Sequence, residues 1–139
     1  MKEQLITFET AKLAKEKGLN VECLFAYDKY EKLLMSDIDW CDLELIKNSD
    51  IDAATNPDWR LIHGCTAPTQ SLLQKWLREE HCIDIFAHII LEQKPIKKRQ
   101  YSCYFAVNAV PKFYRIPNVC DTFEEALEQG LITALKHIK

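Results

Sequence analysis

The chain has 139 residues, 47% of them hydrophobic and 28% charged, a formal net charge of −3, and only 3 Gly and 5 Pro. This is the size and make-up of one compact domain with its core between two layers of secondary structure, and it excludes extensive disorder. No apolar run approaches the roughly 20 residues that span a bilayer, and Glu3, Glu9 and Glu16 interrupt the start where a leader needs an unbroken apolar stretch, so a cytoplasmic protein with no membrane partner is expected.

Thr7 is placed to cap a helix from Phe8 to Lys17. Phe8, Ala11, Leu13 and Ala14 supply its apolar stripe, and Gly18 suits the left-handed position past its end. In "VECLFAYDKYEKLLM" apolar residues flank the turn-like "DKYEK", the pattern of two short strands in a hairpin. Residues 36–58 then hold seven acids against one lysine and close on the turn signal Asn56-Pro57. A helical turn around Trp40 to Lys47 and a long ordered loop both fit there; the segment reads as an acidic excursion from the core.

In "APTQSLLQKWLREEHCIDI", Pro68 occupies a tolerated first-turn position. Leu72 with Trp76 and Leu73 with Leu77 repeat at helical spacing, which predicts a helix over 68–81. "CIDIFAHIIL" follows as a strand with Ile83, Ile85, Ala87 and Ile89 on one face and Asp84, Phe86 and His88 on the other. "QKPIKK" makes a turn, and "RQYSCYFAV" returns with Tyr101, Cys103, Phe105 and Val107 alternating. Thr122 and Glu125 form a capping box for a last helix whose apolar face runs from Phe123 to Ile138. Gly130 inside it costs about 1 kcal/mol relative to alanine unless another element approaches closely there. The order α-β-β-(loop)-α-β-β-α predicts a single α+β domain over 1–139, an antiparallel sheet of about four strands packed with about three helices. "TFETAKLAKEKG" and "TFEEALEQGLITALK" share Thr-Phe-Glu-x-Ala, which reads as helix-start chemistry repeated by convergence.

The chemistry-bearing residues are numerous but poorly patterned. The six cysteines lie about twenty residues apart with no short-spaced pair, the usage of buried apolar thiols in a reducing compartment. The acids of 36–58 lack the alternating ligands and turn glycine of a calcium loop. His63 with Cys65 and His81 with Cys82 would have to converge to make a zinc site, and no third group orients a Cys-His nucleophile. The three glycines are isolated, so no phosphate-cradling loop is present. A non-enzymatic protein follows, with no catalytic residue, cofactor or metal site.

One segment stands apart. Between Lys94 and Cys120 six basic residues occur with no acid, interleaved with Tyr101, Tyr104, Phe105, Phe113 and Tyr114. Of 18 basic residues that leaves 12 elsewhere, against 21 acids, so the small net charge conceals a marked asymmetry. Lys97, Lys98, Arg99, Lys112 and Arg115 with Tyr104 and Tyr114 could bind nucleic acid, the cations on phosphate and the rings on exposed bases. The plainer alternative is that the rings are core and the lysines solubilise a turn. The order helix, strands, helix after Pro68 is similar to the double-stranded-RNA-binding domain in topology alone. That family uses a lysine-rich start of its last helix for phosphate, where this chain has "DTFEEALEQG", and the assignment is set aside.

Taken together, "ITFETAKLAKEKG", "APTQSLLQKWLREEHCIDI" and "TFEEALEQGLITALKHI" resemble a family of small proteins of prophages and mobile elements in Bacteroides-like gut bacteria, one with no assigned function. The resemblance implies a mobile-element context and brings no reaction or ligand with it. The leading expectation is a small accessory protein that acts by protein-protein interaction, with an unknown partner or its own copy, the acidic 36–58 and basic 94–115 segments offering complementary charge. Nucleic-acid binding through 94–115 is the alternative.

Overall fold

The computed structural model describes residues 3–35, 45–52, 63–90, 99–108, 113–116 and 119–138. In chain order these form helix α1 (Phe8–Glu16), strands β1 (Phe25–Tyr27) and β2 (Leu33–Met35), helix α2 (Asn48–Asp52), strand β3 (Cys65–Thr66), helix α3 (Gln70–His81), strands β4 (Ile83–Ile89), β5 (Tyr101–Val107) and β6 (Phe113–Arg115), and helix α4 (Phe123–His137). The strands make two separate three-stranded antiparallel sheets, β2-β1-β3 and β4-β5-β6. This corrects the expected α+β arrangement of one sheet of about four strands with about three helices, and the cause is the shortness of the added elements. With two residues in β3, three in β6 and five in α2, none of the added elements is long enough to imprint a period on the sequence.

The described residues divide into two compact units, Leu5–Thr69 and Gln70–Lys139 with Met1–Gln4. In the first, the Thr7 hydroxyl accepts from the Thr10 amide at 3.4 Å, and Gly18 has φ of +97°, so α1 starts and stops where cap chemistry places its ends. Asp28 Oδ1 accepts from the amides of Tyr30 (2.8 Å) and Lys32 (2.9 Å), closing the β1-β2 hairpin with a side-chain-to-backbone turn. Asn48 ties the unit together: its Nδ2 donates to Leu19 O (2.7 Å) and its Oδ1 accepts from Thr66 N (2.9 Å), both buried. Lys15 Nζ donates to Asp52 Oδ1 (2.7 Å) and to Gly64 O (2.8 Å). Ile46 bridges Cys23 in extended conformation and α2 begins only at Asn48, so the described end of the expected Trp40–Lys47 turn is not helical. Most of the acidic 36–58 segment lies outside the described residues.

Pro68 belongs to this first unit: its carbonyl accepts from Ile6 N (3.1 Å) and Thr69 bridges Leu5, so the helix opens at Gln70, two residues later than its proline suggests.

In the second unit α3 buries Leu73, Trp76 and Leu77, and α4 buries Ala126, Leu127, Leu131, Ala134 and Leu135. Gln70 Nε2 joins the helices by donating to Glu124 O (2.9 Å) and Glu128 Oε2 (3.1 Å), and Gln74 Nε2 donates to Ile85 O (2.9 Å) on β4. Helix α4 lies on the face of the sheet that carries Ile83, Ile85, Cys103 and Phe105. Its Gly130 meets that face so closely that a Cβ there would collide with Cys103 Sγ and stand 3.3 Å from Ile85 Cγ2. This close approach accounts for a glycine in mid-helix. Gly130→Ala gains about 1 kcal/mol of helix propensity but overpacks the joint at a typical cost of about 1–3 kcal/mol. A net loss of about 1 kcal/mol is expected, read as a lower urea midpoint with unchanged slope.

Among the described residues no helix is long and apolar enough to cross a membrane.

Candidate functional site

Strand alternation sorts the second sheet into two faces. The register Asp84↔Ala106, Phe86↔Tyr104 and His88↔Ser102 between β4 and β5, continued by Tyr104↔Arg115 and Ala106↔Phe113 to β6, defines the face turned away from α4. Across the three strands this face therefore reads Asp84, Ala106, Phe113 in one row and Phe86, Tyr104, Arg115 in the next.

Three rings dominate the face. Phe86 stacks on Tyr104 with centroids 5.2 Å apart and planes at 29°, and Phe113 meets Tyr104 edge-on at 5.2 Å. Phe86 is 44% exposed and Phe113 60%, although both are among the most costly side chains to leave in water. Ser102 and Ala106, small and buried, flank Tyr104 along β5 on the same face. Tyr104, Phe113 and the exposed Arg115 line an open hollow of about 220 Å³. His88 borders the platform, its ring 5.3 Å from Tyr104, and its Nδ1 is buried without a hydrogen-bond partner among the described residues. An exposed aromatic cluster ringed by polar groups is the signature of a binding surface.

The residues singled out from sequence are placed unevenly. Tyr104 and Arg115 come together on this face, directly opposite each other across β5 and β6. Tyr114 does not join them: one residue out of phase, it stacks on Phe105 at 5.1 Å and 17° on the helix side, with His137 at 5.0 Å. Arg99 is exposed just ahead of β5, whereas Lys97, Lys98 and Lys112 lie outside the described residues. Phe86 completes the face and lies outside the residues that the sequence singles out. Its signal was a ring on the otherwise polar Asp84-His88 side of β4, where alternation leaves no core to fill.

The thiols and imidazoles show a different organisation. Burial pushes Cys23, Cys65 and Cys103 up to about 11, so at neutral pH they are protonated packing groups and poor nucleophiles. Among the described cysteines Cys82 is the exposed one. Brief iodoacetamide treatment of the native protein is therefore expected to label Cys82 well ahead of Cys23, Cys65 and Cys103, with peptide mass mapping as the check. His63 is exposed while Cys65 is buried, and His81 packs edge-on against Trp76 at 4.6 Å. Among the described residues no three His, Cys, Asp or Glu side chains gather as metal ligands.

Comparison with known protein families, with curated proteins and with solved structures finds no match to the chain.

Proposed function

We propose that the chain is a non-enzymatic binding module that takes single-stranded nucleic acid on the open face of its second sheet. The observation that carries this reading is the platform of Phe86, Tyr104 and Phe113 with Arg115 beside it. Rings on a sheet surface stack on unpaired bases whatever their identity, and cations alongside neutralise the backbone. The acid-free run of six cations from Lys94 to Cys120 adds the electrostatic component. Asp84 stands across Ala106 from Phe113, and its carboxylate keeps the phosphates clear of that row.

Single strands are favoured over duplex because bases must be splayed out to reach the rings. The first turn of α4 carries Glu124 and Glu125, which repel phosphate from that helix N-terminus. The resemblance to prophage and mobile-element proteins is in keeping with nucleic-acid handling.

The test is fluorescence anisotropy with single-stranded and duplex oligonucleotides over a range of salt, beside a Lys97→Ala/Lys98→Ala/Arg99→Ala variant. The expected result is preference for the single strand, with log K falling against log salt by about 0.7 for each phosphate neutralised and a shallower slope in the variant. No binding at low salt would overturn the reading and leave the exposed rings as a docking surface for a protein partner or a second copy.

A further inference from the structure

The hollow beside Arg115 has a shape and a wall chemistry that general stacking does not need. Its volume of about 220 Å³ is below the roughly 300–1,000 Å³ of sites for drug-sized ligands and suits one flat ring system. Of the three described residues that line it, two are aromatic, Tyr104 and Phe113, and their rings stand edge-to-face at 81°, so they form a floor and a side wall that a planar group can touch together. The third is a guanidinium whose side chain makes no hydrogen bond or ion pair with any described residue.

A phosphate gains little in such a place, since two of its walls are rings and it would lose water on those sides. A planar heterocycle gains stacking area and can present its edge to Arg115. The planar fork of Arg donates two parallel hydrogen bonds, which calls for two acceptors side by side on that edge. Guanine offers this pair, O6 with N7, on a two-ring system; adenine sets a donor beside its N7, thymine sets one between its two oxygens, and unpaired cytosine has the pair N3 with O2 but only a single ring to stack in the hollow.

We propose that the hollow lined by Tyr104, Phe113 and Arg115 is a base-reading subsite selective for guanine. The base stacks on Phe113 or Tyr104 while the Arg115 guanidinium donates to O6 and N7. The proposal rests on the single-strand reading above and adds a sequence preference to it. Arg115 thereby acts as the specificity residue of the face, and the other cations carry the backbone.

The test is anisotropy with a short oligo-dT and with the same strand bearing one central guanine, a length and composition that do not form four-stranded structures. The guanine is expected to tighten binding by roughly 5- to 100-fold, the discrimination of one good bidentate pair. Replacing it with 7-deazaguanine, which lacks the N7 acceptor, is expected to remove most of that gain without touching the protein. R115K keeps the charge and loses the fork, so it is expected to abolish the guanine advantage and bring the two strands to equal affinity.

Equal binding of the two strands, or a guanine preference that survives in R115K, overturns the proposal and leaves single-strand binding intact. If R115M, which removes the charge, weakens both strands alike and flattens the salt slope, Arg115 is a phosphate contact and the subsite assignment fails. Failure of every strand to bind overturns this proposal together with the reading beneath it.

Discussion

Replacing Phe86 and Phe113 together by alanine is expected to weaken single-strand binding by at least about 30-fold and to leave the fold in place. Each base stacked on an aromatic side chain contributes about 1–3 kcal/mol by alanine substitution, so the loss of two rings removes about 2 kcal/mol at the least. Both rings touch Tyr104 and their effects are coupled, so the single variants need not sum to the double. Because the two side chains already stand 44% and 60% exposed, their truncation sacrifices little burial. Thermal unfolding followed by circular dichroism should place the variant within a few degrees of the parent. A variant that keeps its affinity while folding normally would show that the rings do not meet the ligand.

The second large effect is on stability. Phe105→Ala is expected to destabilise the second unit by about 3–5 kcal/mol, the range for phenylalanine deleted from a core. Phe105 is 2% exposed, lies at the centre of β5, stacks on Tyr114 and meets His137 edge-on at 5.7 Å. Its removal opens a void between sheet and helix where neither neighbour can collapse freely, because β4 and β6 hold β5 on both sides. At about 4–8 °C per kcal/mol for a domain of 60–100 residues, the midpoint should fall by about 12 °C or more. Tyr104→Ala, one residue away on the opposite face, should cost less stability and more binding. The two substitutions thus separate the faces of one strand, and equal effects on both readouts would contradict the assignment of faces.

The parts legible in the sequence are those fixed by local chemistry. Thr7, Gly18 and Thr122 mark helix boundaries through their own hydrogen bonds and backbone preferences, and the structure puts α1 and α4 within a residue or so of where they point. The faces of β4 and β5 were likewise open to alternation. Pro68 misled because its position is decided by a pairing partner more than 60 residues earlier, the Ile6 amide that its carbonyl accepts from. The number of sheets depended on long-range pairing of the kind that gives Cys65 and Thr66 to β1, which two residues cannot announce. Composition pairs Tyr114 with Tyr104, two tyrosines in one basic stretch. The register that sets Tyr104 opposite Arg115, and so turns Tyr114 to the other side, belongs to the paired strands and to neither segment alone.

Gly130 and Cys103 end with a consequence for how this chain can diverge. With so little room between the helix backbone and the sulfur, position 130 does not drift without cost: a side chain there demands that the one at 103 shift or shrink. In homologues the two sites should change as a pair, a small residue passing from one to the other, and the ancestor of any such exchange would have crossed through a less stable intermediate.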